Sequence, residues 1–330
     1  MTQRNSTRTT QWSTTPERES WFKDHVALVA CVTVAVVGLV AAGVTIVRNH
    51  LSTQSTTTSA TQRIKYLGVY EPGAPNSYTG IEQFGHAVGR QPNLVSYYSG
   101  WNEAFQEAFA QTAAGHGATT IVQIDPTNIS LARIAAGGYD SYLTSYADEV
   151  AGFRRQVIIS FGHEMNGDWE TWGYHNTPPK TFIAAWQHIV MLFRQQGADN
   201  VIWLWQVNSL GGSQTGPPGD WWPGSQYVTW VGISGYYYVP GDTFDNVFNP
   251  VVTAVRQFTH DPVLIAETAV GPPAGQTRGI ADLFVGIRIQ HDIGLVWFDK
   301  DSPGGLYNGE DWRLEGNRSA LAAFRRGLRG

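Results

Sequence analysis

The stretch FGHEMNGDW, Phe161 to Trp169, sets a histidine beside a glutamate and follows them with an asparagine, an aspartate and a tryptophan. A His-Glu pair opens the zinc-protease helix signature. That signature needs a second histidine four residues after the first, so that both imidazoles face one way; here that position is Gly167. No other His/Cys cluster supplies metal ligands, and the single cysteine, Cys31, lies far upstream in an apolar run. The segment DKDSPGGLYNGE, 299–310, comes close to a calcium loop, with Asp at its first and third positions, Gly at its sixth and Glu at its twelfth. Pro303 at the fifth position offers no side-chain oxygen, and the residues before the segment read as a strand, so a loop at a cleft rim is expected rather than a cation site. Neither a resident metal nor another cofactor is expected. GISGY at 232–236 lacks the G-x-S-x-G spacing of a serine hydrolase.

Paired carboxylates remain. Hydrolysis of a glycosidic bond needs one protonated acid at the leaving oxygen and one ionised carboxylate at the anomeric carbon. Glu164 and Glu267, the latter in PVLIAET, are the candidates.

The elements that would hold them are short apolar runs at 64–70, 94–99, 119–125, 156–162, 200–207, 227–236, 262–268 and 294–299. They are rich in Val, Ile, Trp and Tyr, and several are continuously apolar, as strands buried on both faces of a parallel sheet are. Helix-period stretches lie between them. The clearest is 181–195, with Phe182, Trp186, Ile189 and Phe193 on one face. Ser319 is a candidate cap for a last helix carrying Leu321, Phe324 and Leu328. Eight strands with intervening helices predict an α/β fold, a (β/α)8 TIM barrel. A doubly wound sheet is the alternative, but the first strand leads into EPGAPNS, without a Gly-rich phosphate turn. In such a barrel chemistry sits at the carboxyl ends of the strands. Those ends carry Glu71, Asp125, Glu164, Glu267 and Asp299, with His163, Tyr236 and Trp297. Glu164 follows the fourth strand and Glu267 sits on the seventh.

Composition narrows the partners. The chain of 330 residues carries a formal net charge of −5 and only 15% charged residues, with no basic stripe, so nucleic acid is not an expected partner. Its 13 tryptophans suit either a large core or the stacking of sugar rings.

Ahead of the barrel, residues 26–47, from Val26 to Val47, carry no charge. A helix of that length spans about 30 Å of hydrocarbon. The cleaved apolar core of a signal peptide usually has about 7–15 residues, so an uncleaved membrane anchor is the expectation. Arg4, Arg8, Arg18 and Lys23 precede it and Arg48 follows, a bias that leaves the N-terminus inside and the bulk of the chain outside. The expected organisation is a cytoplasmic tail over 1–24, one transmembrane helix over 25–48, a Ser/Thr-rich linker over 49–62 and the barrel over 63–330. The barrel is then extracytoplasmic at the cell membrane, or secreted if the apolar segment is cleaved.

FGHEMNGDWETWG, WWPGSQYVTWVGISGY, PVLIAET, the WF pair and DWR together resemble glycoside hydrolase family 26, over residues from about 64 to 326. The resemblance implies a retaining (β/α)8 glycosidase acting on β-1,4-mannan, mixed-linkage β-1,3-1,4-glucan or β-1,3-xylan. It implies Glu164 as general acid/base and Glu267 as nucleophile. It implies that His163 contacts the sugar, that Trp169 lines the site, that Tyr236 hydrogen-bonds the nucleophile, and that Trp297 is the floor under the sugar being cleaved. The chain departs from the family where Ser160 replaces a frequent Arg, where Val207-Asn208 replaces Pro-Asn, and where Ser225 and Thr229 replace aspartates. The expected activity is that of a retaining endo-β-glycanase on polysaccharide, with mannan first. Mixed-linkage glucan or another envelope polysaccharide is the second reading, and a non-catalytic polysaccharide-binding barrel the third. Membrane fractionation with N-terminal sequencing checks the anchor: the expected result is a membrane-bound chain retaining residues 26–47, and a mature start near residue 44 would make the segment a signal peptide.

Overall fold

Runs of β-branched and aromatic residues that are apolar at every position can be satisfied only by burial on both faces. The chain achieves this in a closed barrel. The computed structural model describes residues 63–271, 273–302 and 310–330. Strands β1 (Tyr66–Tyr70), β2 (Leu94–Gly100), β3 (Thr119–Asp125), β4 (Val157–Phe161), β5 (Val201–Asn208), β6 (Trp230–Ser234), β7 (Val263–Thr268) and β8 (Gly294–Phe298) pair in parallel in chain order, and β8 closes on β1. The (β/α)8 expectation is met. Every strand falls inside its predicted run or within a residue of it. The expected anchor and linker lie outside the described residues; among the described residues no helix is long and apolar enough to cross a membrane. The calcium-like segment lies largely outside them too.

Successive side chains on a strand point to opposite faces, which gives the barrel two cores. Leu94, Ile121, Ile158, Leu204, Trp230, Leu264 and Val296, from seven different strands, meet inside the barrel, with Tyr66 of β1 packed against them. Their strand neighbours, such as Leu67, Val95, Val122, Ile159 and Trp205, face the helical layer. The helix Pro179–Gln195 shows how that layer is specified. Proline occupies its first turn, where no N–H partner is lost. Phe182, Trp186, Ile189 and Phe193 all lie buried on its inner face, and each such side chain contributes roughly 1.5–3 kcal/mol by leaving water. The last helix, Arg318–Arg329, is capped by Asn317 rather than Ser319: the Asn317 side chain accepts from the N–H groups of Ser319 and Ala320, each at 3.1 Å. Asparagine is as good a cap as serine, and the helix starts one residue ahead of the expected serine.

Going up each strand, the inward positions change from apolar to polar. Two residues beyond the apolar layer come Ser96, Gln123, Ser160 and Gln206, and on β6, four residues beyond, Ser234, all buried. Buried polar groups need partners, and part of this layer supplies its own. Ser160 donates to Gln206 Oε1 at 3.5 Å, and Gln206 Nε2 donates to Ser234 Oγ at 2.8 Å. This layer is the floor of the candidate site.

The opposite end of the barrel contains a group without such support. Asp292 lies just before β8, 7% exposed, and neither carboxylate oxygen has a hydrogen-bond partner among the described residues. Desolvation pushes its carboxyl up to about 7, with the charge of Arg256 pulling the other way. The unfolded carboxyl titrates near 4. A raised value in the fold means that the contribution of this group to stability is fully present below pH ~4 and is lost as the pH rises through 7. Asp292→Asn, neutral throughout, should therefore unfold clearly above the wild type at pH 8, where the buried charge costs on the order of 4 kcal/mol, and near the same temperature at pH 4. Thermal unfolding followed by circular dichroism checks this; an equal shift at both pH values would contradict it.

Candidate active site

The turn after β4 carries the first carboxylate, and its backbone is unusual. Gly162 adopts φ +55°, and its N–H donates to Ile124 O at 2.9 Å. Glu164 also adopts φ +55°, a left-handed conformation that costs a non-glycine residue about 1–2 kcal/mol. Hydrogen bonds on both sides hold it there: Glu164 N–H donates to Gln206 O at 2.8 Å, and Glu164 O accepts from Gly167 N–H at 2.8 Å. The twist brings the Glu164 carboxyl against the side chains of Asn208 on β5 and Ser234 on β6. Trp169 reaches back to it, its Nε1 donating to Glu164 Oε2 at 2.9 Å. This closure explains Gly167: a Cβ at that position would lie 2.3 Å from the Trp169 ring. Asn166 fixes the turn to the end of β5, donating to Asn208 O at 3.0 Å and accepting from Asn208 N–H at 2.7 Å.

The second carboxylate stands on β7, where the register shifts against both neighbouring strands, between Gly232 and Ser234 on β6 and between Ile265 and Thr268 on β7. Such an irregularity re-aims side chains. It brings Ala266 into the inner core and its neighbour Glu267 against side chains on three other strands or their ends. Tyr236 O–H donates to Glu267 Oε1. Tyr98 O–H donates to Oε2 at 2.5 Å, and Gln123 Nε2 donates to the same oxygen at 3.3 Å. Glu164 and Glu267 are 7% and 8% exposed.

His163 lies between the carboxylates and Asp125. Its Nδ1 is 2.9 Å from Asp125 Oδ1, and its carbonyl accepts from Trp172 Nε1 at 2.8 Å. Burial alone would lower the imidazole, but the charge and hydrogen bond of Asp125, with the charges of Glu164 and Glu267, raise it to about 10. His163 is therefore an imidazolium at neutral pH. Glu164 is raised, first by desolvation and then by the charge of Glu267; the charge of His163 and the hydrogen bonds from Asn208 and Ser234 oppose this without cancelling it. Desolvation, with the charges of Asp125, Glu164 and Glu267 adding and that of His163 opposing, also pushes half-buried Glu170 up to about 7. The site thus contains one carboxyl raised by its surroundings and a second held by neutral donors. That arrangement is suited to giving a proton on one side of a bond and an electron pair on the other.

Five of the six expected site residues come together here: His163, Glu164, Trp169, Tyr236 and Glu267. Trp297 does not. It is 0% exposed, donates from Nε1 to Trp312 O at 3.0 Å and meets Phe324 edge-on at 5.2 Å, so it belongs to the outer core. The reason is the two-residue strand period: Val296 points inward, Trp297 outward, and Phe298 inward again. Phe298 is half-buried, stacked on Tyr70 at 4.6 Å and edge-on to Tyr236 at 5.8 Å. Nor do all five strand-end acids converge. Asp299 and Glu71 act on each other and on Glu315 and Arg313, and only Asp125, Glu164 and Glu267 share the cleft. Tyr98, Gln123 and Ser234 do not stand out in the sequence, because each reads equally well as strand interior. Their only signal is the inward register that they share with the apolar layer below. Among the described residues no group of three or more His, Cys, Asp or Glu side chains could hold a metal ion.

Comparison with known proteins gives this geometry a family context. Residues 111–282 match the model of Glycosyl hydrolase family 26. Endoglucanase H of Acetivibrio thermocellus is 29% identical over 273 residues, covering 78% of this chain and 29% of that protein. A mannan endo-1,4-beta-mannosidase of Bacillus subtilis strain 168 is 23% identical over 240 residues, covering 68% of this chain and 57% of its own. The chain spans about a third of the length of the first relatives that it matches. In fold it is similar to the catalytic domain of the Bacillus sp. JAMB-750 GH26 endo-beta-1,4-mannanase, at a TM-score of 0.62 and 14% identity, over 83% of this chain and 87% of that one.

Proposed function

Because the chain belongs to glycosyl hydrolase family 26, we propose that it is a retaining endo-β-glycanase in which Glu164 is the general acid/base and Glu267 the nucleophile. One observation carries this reading. Two buried carboxyls share the same end of one barrel, and one of them, Glu164, is raised by burial and by the charge of the other, Glu267. In the first step the Glu267 carboxylate attacks the anomeric carbon. The glycosidic C–O bond breaks, and its electron pair takes the proton from Glu164 as the leaving sugar departs. In the second step the now ionised Glu164 takes a proton from water. The water oxygen bonds to the anomeric carbon, and the ester electrons return to Glu267. Trp169 anchors Glu164 through both steps; its N–H steadies the carboxylate that forms in the first. His163, held as a cation by Asp125, supplies a fixed positive charge beside the two carboxyls. With Trp297 in the outer core, the stacked rings of Phe298 and Tyr70 take its place as the aromatic surface offered to the sugar.

β-1,4-mannan is the proposed substrate, supported by the mannan endo-1,4-beta-mannosidase relatives. β-Glucan is the second reading, favoured by the greater share of the chain that aligns with endoglucanase H. A binding-only barrel fits less well, because both carboxyls and their donors are present. The proposed location is outside the cytoplasmic membrane, on the anchor expected at residues 26–47.

Hydrolysis of glucomannan, galactomannan, lichenan and β-1,3-xylan, with product sizing, is the first measurement. On the best of these, Glu164→Gln should lower turnover roughly 10²–10⁴-fold and Glu267→Ala at least as much, with unchanged circular dichroism. Proton NMR should show the β anomer first. Wild-type turnover by either variant would refute the residue assignment, and an α anomer first would refute retention.

A further inference from the structure

The two oxygens of Glu267 are held differently. Oε2 accepts from two side chains, Tyr98 O–H at 2.5 Å and Gln123 Nε2 at 3.3 Å, one on β2 and the other on β3. Among the described residues Oε1 accepts from Tyr236 alone, just past the end of β6. Among the described residues Glu267 makes no ion pair; the groups that hydrogen-bond it are neutral donors, and the His163 cation acts on it only through space. Gln123 is buried and sits on the strand ladder, and among the described residues its other polar atom, Oε1, has no partner. Its amide group is therefore committed to Glu267. The Tyr98 ring is wedged edge-on against Tyr70 at 5.1 Å and lies 5.5 Å from the His163 ring, which leaves its hydroxyl little freedom to turn elsewhere.

We propose that Tyr98 and Gln123 form a clamp that fixes Glu267 Oε2 and thereby selects Oε1, the oxygen under Tyr236, as the atom that bonds to the sugar. This rests on the reading of Glu267 as nucleophile and adds to it two positioning residues and the identity of the reacting oxygen. An oxygen with two donors from rigid strands resists reorientation and has its lone pairs engaged. An oxygen with one donor needs to give up only that one. In the first step a lone pair on Oε1 forms the C1–O bond while the C1–leaving-oxygen bond breaks and takes the proton of Glu164. The Tyr236 hydroxyl loses its acceptor at Oε1 and is free to turn toward the sugar. Oε2 becomes the carbonyl oxygen of the ester and keeps its donors from Tyr98 and Gln123. Those donors then stabilise the same oxygen in the ground state and along the reaction, which aligns Oε1 for attack.

Labelling by 2-deoxy-2-fluoro-β-mannobiosyl and β-cellobiosyl fluorides, followed by intact-mass spectrometry, tests the clamp. In the wild type the adduct should fall on Glu267. In Tyr98→Phe the inactivation rate constant should drop about 10- to 100-fold while the inhibitor's binding constant stays within about threefold. Gln123→Leu, with the longer bond, should show a smaller drop of the same kind, and gives an independent reading if Tyr98→Phe does not fold. A crystal structure of the wild-type adduct should show the ester through the oxygen on the Tyr236 side, with the carbonyl oxygen still facing Tyr98 and Gln123. Wild-type inactivation rates in folded Tyr98→Phe and Gln123→Leu, a change in binding alone, or an ester through the clamped oxygen would overturn the clamp while leaving Glu267 as nucleophile. An adduct on a residue other than Glu267 would overturn the nucleophile reading itself, and the clamp with it.

Discussion

Two carboxyls buried at the same end of one barrel cannot both be charged at little cost, because desolvated charges repel each other strongly. The rest of the site follows from this constraint. Glu164 favours its proton because it is buried beside the charge of Glu267. The surrounding polar atoms tune both carboxyls. The one buried cation among them, His163, is balanced by Asp125. The donors to Glu267 are neutral hydroxyls and an amide.

The barrel makes this possible by changing the character of its inward positions over a few residues. An apolar layer closes the lower lumen, a layer of Ser and Gln follows, and tyrosines and carboxyls stand above it. Parallel strands place all their carboxyl ends on one side, so residues from β2, β3, β5, β6 and β7, far apart in sequence, reach the same few atoms. Local backbone irregularity then sets the final aim. Glu164 depends on a left-handed turn held by Gln206 and Gly167, and Glu267 on a register shift against both flanking strands. Outside the strands, the indole of Trp169 folds back over Gly167 to complete the acid side of the cleft.

Much of this was legible in the sequence, because continuous apolar runs of strand length leave few alternatives to a buried parallel sheet. The strand-end acids also followed from the runs. What was not legible depended on one-residue differences in direction. Trp297 and Phe298 are adjacent aromatics on β8, and nothing in the sequence says which faces the sugar; in the structure only Phe298 faces the lumen. Tyr98 looks like any tyrosine in a strand until its register beside Leu94 and Ser96 is known. The register shift at β7, which lets both Ala266 and Glu267 serve the interior, has no signature in PVLIAET. Glu71 and Asp299 show the opposite error: a shared barrel face does not put acids in a shared cleft.

The central claim is that Glu164 holds its proton in part because of the charge on Glu267, and direct titration of Glu164 tests it. Carbon-13 NMR of glutamate-labelled protein, with Glu164 assigned by its loss in Glu164→Gln, would follow the carboxyl in the wild type and in Glu267→Gln. The account predicts a Glu164 carboxyl titrating above the ordinary glutamate range in the wild type, and falling clearly once Glu267 is neutral. A Glu164 that titrates at the same pH in both proteins would contradict it.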